Sequence, residues 1–155
     1  MFKEMRRKDR ELDSGAAMEI LNNGKFGVMA CVGEDGYPYA VPLHYVVIDG
    51  AVYFHSAAEG GHKTECFAHN PKASFTVIET EDGVKARSAI IFGTVEFVPD
   101  MRVAVLKKLV EKFVPPLAWE QAKAGAQSAQ NGIVAYRLKT EHMTAKWIDK
   151  PEQRQ

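Results

Sequence analysis

The dipeptide Asp49-Gly50 lies between two runs of β-forming residues and constrains the fold more than any other feature of this chain. A two-residue type I′ turn requires positive φ at both central positions, and Asp-Gly is one of the few pairs that adopt it readily. With this dipeptide as the turn, Val46 faces Tyr53 and His44 faces His55 across the hairpin. Residues directly opposite each other have neighbouring side chains. The two histidines are therefore predicted to be cross-strand neighbours on one face of a sheet.

The hairpin is followed by a loop of small residues that leads into a helix. Residues 56–63 read SAAEGGHK. Small residues let the backbone approach a ligand closely, and the free N–H groups at a helix N-terminus bind anions. Ser56 adds a hydroxyl and Lys63 a positive charge, so the segment is typical of a site for a phosphate-bearing ligand. The alternative is a glycine-rich connector with a solvated lysine, since neither the Walker A nor the Rossmann glycine pattern occurs here.

Six or so apolar runs, joined by tight turns, predict a mainly β fold. The strands are predicted at 25–32, 37–48, 51–56, 73–79, 85–98, 133–138 and 144–148, and the helices at 16–22, 61–69, 100–113 and 117–127. Strands that follow one another in sequence favour an antiparallel barrel, with Gly93 as a predicted bulge. Asp13-Ser14 is predicted to cap the first helix, and Asn22-Asn23-Gly24 to end it with a left-handed residue. Pro38 and Pro42 are expected at bulges or sheet edges. Both faces of the Asp49-Gly50 hairpin are apolar, so both must be covered, by barrel closure with a second subunit or by a flat ligand.

Composition and charge exclude several classes of protein. With 46% hydrophobic residues, the 155-residue chain is expected to form one globular domain, 1–155, in which 1–13 and 149–155 are loosely ordered. The chain has 20 basic and 20 acidic residues, which argues against binding to nucleic acid or a membrane surface. No apolar run is long enough to span a membrane. Cys31 and Cys66 form no CxxC motif and are expected to be reduced thiols, which favours a cytoplasmic protein.

Two further patterns are candidates for a metal site and for a catalytic nucleophile. His62, Cys66 and His69 share one face of the predicted helix and could supply three zinc ligands. No carboxylate or second cysteine is placed to complete the shell, so we predict packing of the cysteine and no metal. The serines lack the Gly-x-Ser-x-Gly context of a nucleophile elbow, so no catalytic residue is assigned.

The central stretch also resembles a known family. Residues 35–63 read DGYPYAVPLHYVVIDGAVYFHSAAEGGHK and resemble the signature of the FMN-binding split-barrel proteins related to pyridoxamine 5′-phosphate oxidase. Residues 5–11, MRRKDRE, are similar to the opening of their Nim-type branch, named for nitroimidazole resistance. The likeness runs to about residue 147. It implies a homodimer of six-stranded antiparallel split β-barrels with peripheral helices and with FMN at the dimer interface.

The resemblance implies a set of cofactor-binding residues. The segment implied to run beside the isoalloxazine ring is Val41, Pro42, Leu43 and His44. The segment implied to hold the phosphate and ribityl chain contains His55, Ser56, Ala57, His62 and Lys63. Arg87 and Ser88 resemble part of a strand that contacts the flavin in this family. Lys146 and Trp147 resemble a region that reaches toward the flavin across the subunit interface.

The function implied by the resemblance is that of a flavin-dependent oxidoreductase that reduces small molecules, as Nim-type proteins do, with NAD(P)H or another electron donor. The chemistry would belong to the cofactor. Two alternatives stay open: a haem-binding or haem-handling protein with His44, His55 or His62 as axial ligand, and a non-catalytic flavin-binding or sensor module. A deazaflavin is not distinguished from FMN. FAD is less favoured, since nothing in the sequence looks like an adenylate site.

Overall fold

The fold, in a computed structural model that describes residues 1–149, is a curled antiparallel sheet with helices at its periphery. Its strands are β1 (Glu11–Leu12), β2 (Phe26–Val32), β3 (Pro38–His44), β4 (Val46–Ile48), β5 (Ala51–Ala57), β6 (Lys72–Thr80), β7 (Ala86–Phe97) and β8 (Ile133–Trp147). Its helices are α1 (Ser14–Asn23), α2 (His62–His69), α3 (Arg102–Phe113) and α4 (Trp119–Ala129), and short 3₁₀ turns lie at Lys8–Arg10, Pro99–Met101, Pro116–Ala118 and Gln130–Gly132.

The mainly β split-barrel fold is confirmed, but the strand count of six is wrong, because the described residues form eight strands. The second predicted strand is divided in two at Tyr45, and a two-residue strand, too short to show any alternation, pairs with β8. The strands predicted at 133–138 and 144–148 are one strand of fifteen residues. Its polar centre, 139–141, is exposed, which interrupts the apolar pattern while the ladder continues.

The order of the strands explains how the sheet curls. The hydrogen-bonded path runs β3-β2-β6-β7-β8-β5-β4, and β1 pairs with β8. The two ends of this path, β3 and β4, are consecutive in the chain and are separated only by Tyr45. A sheet whose first and last strands are joined by one residue must bend back on itself. Pro38 and Pro42 lie in β3, which pairs with β2 alone, in agreement with their expected place at an edge.

The Asp49-Gly50 turn forms as predicted. Asp49 has φ 49° and Gly50 has φ 76°, and Val46 pairs with Tyr53. The predicted pairing of His44 with His55 is wrong, because the β4–β5 ladder ends at Val46. His44 pairs instead with Phe26 of β2, and His55 with Ala135 of β8.

Tyr45 breaks the strand because its side chain turns into the core. It is fully buried, and its hydroxyl donates a 2.6 Å hydrogen bond to the carbonyl oxygen of Leu21 at the end of α1. Gly24 follows that helix with φ −65°, so it is not the left-handed cap that the sequence suggests. A Cβ at Gly24 would lie 2.3 Å from the Tyr45 hydroxyl, so glycine is required there by close approach.

Two other local predictions hold. Asp13 caps α1, and its Oδ1 accepts a 2.8 Å hydrogen bond from the N–H of Ala16. The β7–β8 register shifts at Gly93, which confirms the bulge. A Cβ at Gly93 would lie 2.1 Å from the carbonyl oxygen of Lys139, so this glycine lets the two strands approach.

Buried side chains form two clusters that the sheet separates. The larger lies inside the curl and under α1 and α2, and includes Phe54, Phe75 and Leu138. The smaller lies between α3 and the outer face of β4, β5 and β8, and it includes Val105 and Leu109 of α3. In contrast, α4 has no buried residue and packs mainly against α3.

The N-terminal end of the chain contributes little to this core. Within the segment expected to be loosely ordered at the N-terminus, Glu11 pairs with Lys146 and Leu12 with Ala145. The corresponding C-terminal segment lies outside the described residues from 150 onward. Within residues 1–149, no helix combines the length and apolar character that a bilayer crossing needs.

Candidate functional site

His44 and His55 meet at one cavity although their strands do not pair at this point. The cavity has a volume of about 390 Å³ and lies between the outer face of the sheet and the α3–α4 helix pair. His44, which is exposed, stacks on Phe113 of α3, with ring centroids 4.2 Å apart and planes inclined by 21°. The predicted proximity of the two histidines is thus reached through a third element.

His55 carries an unsatisfied polar atom at this cavity. Its Nδ1 is buried, and no group among the described residues hydrogen-bonds to it. The pKa of His55 lies below its ordinary value, mainly because the ring is buried. The positive charge of Lys63 and the neighbouring His44 lower this pKa further. The imidazole is therefore neutral at pH 7 and has one nitrogen in need of a partner, a condition that buried polar atoms rarely keep.

Lys63, in the first turn of α2, is close enough to His55 for its positive charge to lower the pKa of the imidazole. Gly61 precedes the helix, and no side chain caps the first turn, so its N–H groups keep free hydrogen-bonding capacity. A Cβ at Gly61 would meet no atom within 4 Å. His62 is exposed, 3.8 Å from Glu65, and its ring meets that of Tyr39 edge-on at 4.5 Å. An open, uncapped helix start with an adjacent lysine fits an anionic group such as phosphate.

The remaining residues of the predicted loop and strand alternate between two faces. Ser56 is 5% exposed and points away from the face that carries His55, whereas Ala57 is exposed. Along β3, Val41 and Leu43 pack against the inner core, and Pro42 and His44 are exposed. The outer face of this segment therefore presents Pro42, His44 and His55 together.

The other predicted cofactor residues lie on β7 and β8, at a different cavity. Arg87 pairs with Trp147 and Ser88 with Lys146. Ser88 and Lys146 line a cavity of about 490 Å³ that N-terminal residues, including Phe2 and Met5, also border and that neither His44 nor His55 lines. Arg87 donates from Nε to Glu79 at 3.0 Å and from a terminal nitrogen to Glu19 at 2.9 Å, and its guanidinium lies 5.8 Å from the Trp147 ring. Its charge is thus already engaged by two carboxylates.

The pattern His62, Cys66 and His69 has a structural role for its cysteine. All three side chains border one cavity, but Cys66 is fully buried against the inner core. No three His, Cys, Asp or Glu side chains within residues 1–149 are placed to hold a metal ion. Burial first, and then the neighbouring Cys66 thiol, raises the pKa of Cys31 to about 12.

The helical wall of the histidine cavity was not predicted from the sequence. That wall is formed by α3 and α4 and consists of Leu106, Leu109, Val110, Phe113, Val114, Ala122, Gly125, Ala126 and Ala129. The small residues of α4 recur at i, i+3, i+4 and i+7, the spacing of one helical face. This signal was present in the sequence, but nothing in it indicated that the face would look onto a histidine pair.

A lysine next to Phe113 supports the broken strand beside the site. The Lys112 Nζ donates a 2.7 Å hydrogen bond to the carbonyl oxygen of Tyr45 and lies 3.7 Å from the centre of that ring. Two consecutive residues of α3 therefore hold two consecutive residues of the strand break, His44 and Tyr45. Burial lowers the pKa of Lys112 to about 8.

Comparison with known proteins points to one family. The sequence model of the pyridoxamine 5′-phosphate oxidase family matches residues 13–147. Among curated proteins, none matches the chain.

Solved structures share the fold. A conserved hypothetical protein from Mycobacterium tuberculosis is 21% identical, with a TM-score of 0.80 over 92% of this chain and 90% of that chain. A FAD-binding protein from Mesorhizobium loti is 27% identical, with a TM-score of 0.68 over 90% and 98%. A putative 5-nitroimidazole antibiotic resistance protein from Bacteroides thetaiotaomicron is 18% identical, with a TM-score of 0.71 over 88% and 86%.

Proposed function

The chain belongs to the pyridoxamine 5′-phosphate oxidase family of flavin-binding split barrels, and we propose that it binds FMN and reduces small molecules. The observation that carries this proposal is the group formed by the uncapped start of α2, Lys63 and the unpaired Nδ1 of His55. These groups, together with Pro42 and His44, form what we call the flavin strip, which combines an anion site with a buried polar atom.

The residues fit the cofactor in distinct ways. The N–H groups of the first turn of α2 and the ammonium of Lys63 would hold the phosphate, with His62 at its side. Pro42 and His44 on the outer face of β3 would border the isoalloxazine ring, and His55 would supply a hydrogen bond. The hydroxyl of Ser56 is buried and points to the opposite face of the strand, so we assign it no direct contact with the ligand.

FMN, when bound, would supply hydride or electron transfer, and the protein supplies orientation and a water-poor wall. NAD(P)H or another donor provides the electrons, and the acceptor is a small oxidised molecule. The cytoplasm is the compartment that we propose, since it holds such donors and keeps Cys31 and Cys66 reduced.

We further propose a homodimer in which each subunit completes the other's site. Ser88 and Lys146 border a different cavity from the histidines, and Arg87 and Trp147 are their neighbours on β7 and β8. A partner subunit could bring its copy of this group to the flavin strip. The outer face of the sheet supports such an assembly, because it exposes apolar side chains that include Phe26 (61%) and Ile78 (58%).

One alternative has a specific observation in its favour. Two histidines at one largely apolar cavity could provide an axial ligand to a haem, which would occupy the space that we assign to the ring side of the flavin site. A flavin-binding protein without catalysis is a second alternative, and FAD in place of FMN a third.

The first experiment is the visible absorption spectrum of the purified protein, with the released chromophore identified by mass. Two flavin bands and the mass of FMN would support the proposal, and the mass of FAD would change the cofactor only. A sharp Soret band would favour haem instead. A colourless protein that binds no added flavin would refute the flavin proposal. An assay of nitroaromatic reduction by an electron donor then distinguishes an enzyme from a sensor.

Replacing Lys63 by alanine tests the phosphate site. A charge-assisted contact to phosphate contributes about 1.5–3 kcal/mol, so FMN affinity should fall about 10- to 150-fold. Fluorescence titration of the apoprotein with FMN measures this loss. Lys85→Ala, in the exposed turn before β7, is the matched control and should bind as the wild type does. Equal FMN affinity in both variants would remove Lys63 from the site.

A further inference from the structure

We propose that the cavity between the two histidines and the α3–α4 helix pair is the substrate subsite, and that it takes flat, uncharged aromatic molecules of one or two rings. This inference rests on the proposed flavin site, which it places next to the cavity. Its distinctive claim is that α4, far in sequence from the flavin strip, forms the wall that sets substrate size.

The cavity and the proposed cofactor strip meet at only two residues. His44 and His55 line the cavity, whereas Val41, Pro42, Leu43, the 56–61 loop, His62 and Lys63 do not. The strip runs from the start of α2 toward His44, where the ring end of the cofactor lies in our proposal. The cavity therefore begins where the cofactor ends, which is the position that a molecule exchanging electrons with the ring must take.

The lining selects the chemistry of the occupant. No Asp, Glu, Lys or Arg is among the described residues that line the cavity, and aliphatic side chains of α3 face small residues of α4. A volume of about 390 Å³ is at the lower end for small-molecule pockets, which suits a compact molecule. The stacked rings of His44 and Phe113 show that one wall already accepts a flat aromatic surface.

The attachment of α4 is consistent with a cover over a ligand space. None of its residues is buried, and polar contacts in its first turns tie it to α3: Trp119 Nε1 donates to the carbonyl oxygen of Val114, directly after α3, at 2.8 Å, and Lys123 lies 2.8 Å from Glu111. Ala122, Gly125, Ala126 and Ala129 thus face a space that no side chain of the described residues fills.

The test fills the cavity from α4. Ala126→Phe projects a ring into it, and Ala124→Phe places the same ring on the exposed side of the same helix as the control. Isothermal titration measures the affinity of each protein for nitrobenzene, for the anionic 4-nitrobenzoate and for FMN. Circular dichroism and thermal unfolding verify the fold, and Ala122→Leu serves if Ala126→Phe does not fold.

We expect nitrobenzene to bind the wild type at least tenfold more tightly than 4-nitrobenzoate. Ala126→Phe should weaken nitrobenzene at least tenfold and change FMN affinity less than twofold, and Ala124→Phe should change neither. Parallel loss of FMN and nitrobenzene would show that the cavity holds the cofactor and would overturn the inference. So would unaltered nitrobenzene affinity in the filled variants, or a wild type that does not bind nitrobenzene.

The two proposals fail separately. A protein that binds no flavin, yet loses nitrobenzene in Ala126→Phe only, would refute the flavin proposal and leave the cavity as an aromatic-binding site. A protein that binds FMN normally, but whose nitrobenzene affinity is the same in both α4 variants as in the wild type, would support the flavin proposal and refute the substrate subsite.

Discussion

His55 is the residue at which structure and function conflict most clearly. An imidazole nitrogen without a hydrogen bond in a buried position costs stability, since the group has lost water and gained no partner. Buried polar atoms rarely lack a hydrogen-bond partner, so the orphaned Nδ1 is consistent with the binding role that we propose for His55.

This burial predicts a pH dependence of stability. Because the pKa of His55 is lower in the folded than in the unfolded protein, the unfolded chain binds more protons below about pH 6.5. The free energy of unfolding should therefore fall as the pH drops from 7 to 5. His55→Leu should show a shallower fall in urea denaturation at each pH. The control His69→Leu, at an exposed site, should follow the wild type, and parallel curves for all three proteins would contradict the assignment.

The thiol of Cys31 provides a second test at this scale. The raised pKa of about 12, together with burial to 2% exposure, leaves almost no thiolate at pH 8. Native protein should therefore react with iodoacetamide far more slowly at Cys31 than protein unfolded in guanidinium, as peptide mass analysis would show. Equal rates in the two states would mean that the β2 strand opens readily.

At the scale of elements, the break at Tyr45 organises the site. Its hydroxyl reaches the end of α1, and its carbonyl and ring receive Lys112 of α3. Because this residue turns inward, the neighbouring His44 stays on the outer face, where it meets Phe113. One buried aromatic thereby ties two helices to the strand that borders the cavity.

Tyr45→Phe tests this link. The substitution leaves the buried carbonyl oxygen of Leu21 without its donor, so the free energy of unfolding should decrease by about 1–2 kcal/mol. Urea denaturation measures this decrease, provided that the dependence of the unfolding free energy on urea concentration has the same slope in both proteins. Tyr37→Phe, at a position that is 75% exposed, should have no measurable effect. A Tyr45→Phe protein as stable as the wild type would show that the hydroxyl contributes nothing beyond packing.

At the scale of the molecule, the part of the outer sheet face that lies on β2, β6 and β7 exposes apolar side chains. Phe26 and Val28 of β2, Ile78 of β6 and Phe92 of β7 are each at least 37% exposed on described strands that neighbour one another. Adjacent apolar side chains on a sheet face are typical of an interface between subunits. This face is the one on which we place the second copy of the chain.

Val28→Glu should disrupt that assembly. A charge at the centre of an apolar interface would be left without a partner, so light scattering after gel filtration should detect monomer where the wild type is dimeric. FMN affinity should fall in parallel, because the partner's residues complete the site. Leu117→Glu, in a fully exposed 3₁₀ turn, should remain dimeric. A wild type that is monomeric at micromolar concentration would refute the dimer.

Local features of the fold were predictable because their causes are local. The Asp49-Gly50 turn, the Asp13 cap, the start of α2 and the Gly93 bulge each depend on the conformational preference of one or two residues. The number of strands was not predictable. The polar stretch inside β8 and the single inward-turning tyrosine of the second predicted strand leave no periodic pattern in the sequence, so a break in a strand cannot be distinguished from its continuation.

The sequence by itself determined the mainly β class, the hairpin, the helix start with Lys63 and the resemblance that names the family. Only the tertiary structure decided how the histidines meet. They share a cavity and not a ladder, because Phe113 and Lys112 of α3, the latter 67 residues from Tyr45, hold the strand break from outside. Such contacts depend on how distant segments pack, and no pattern within a single segment encodes that packing.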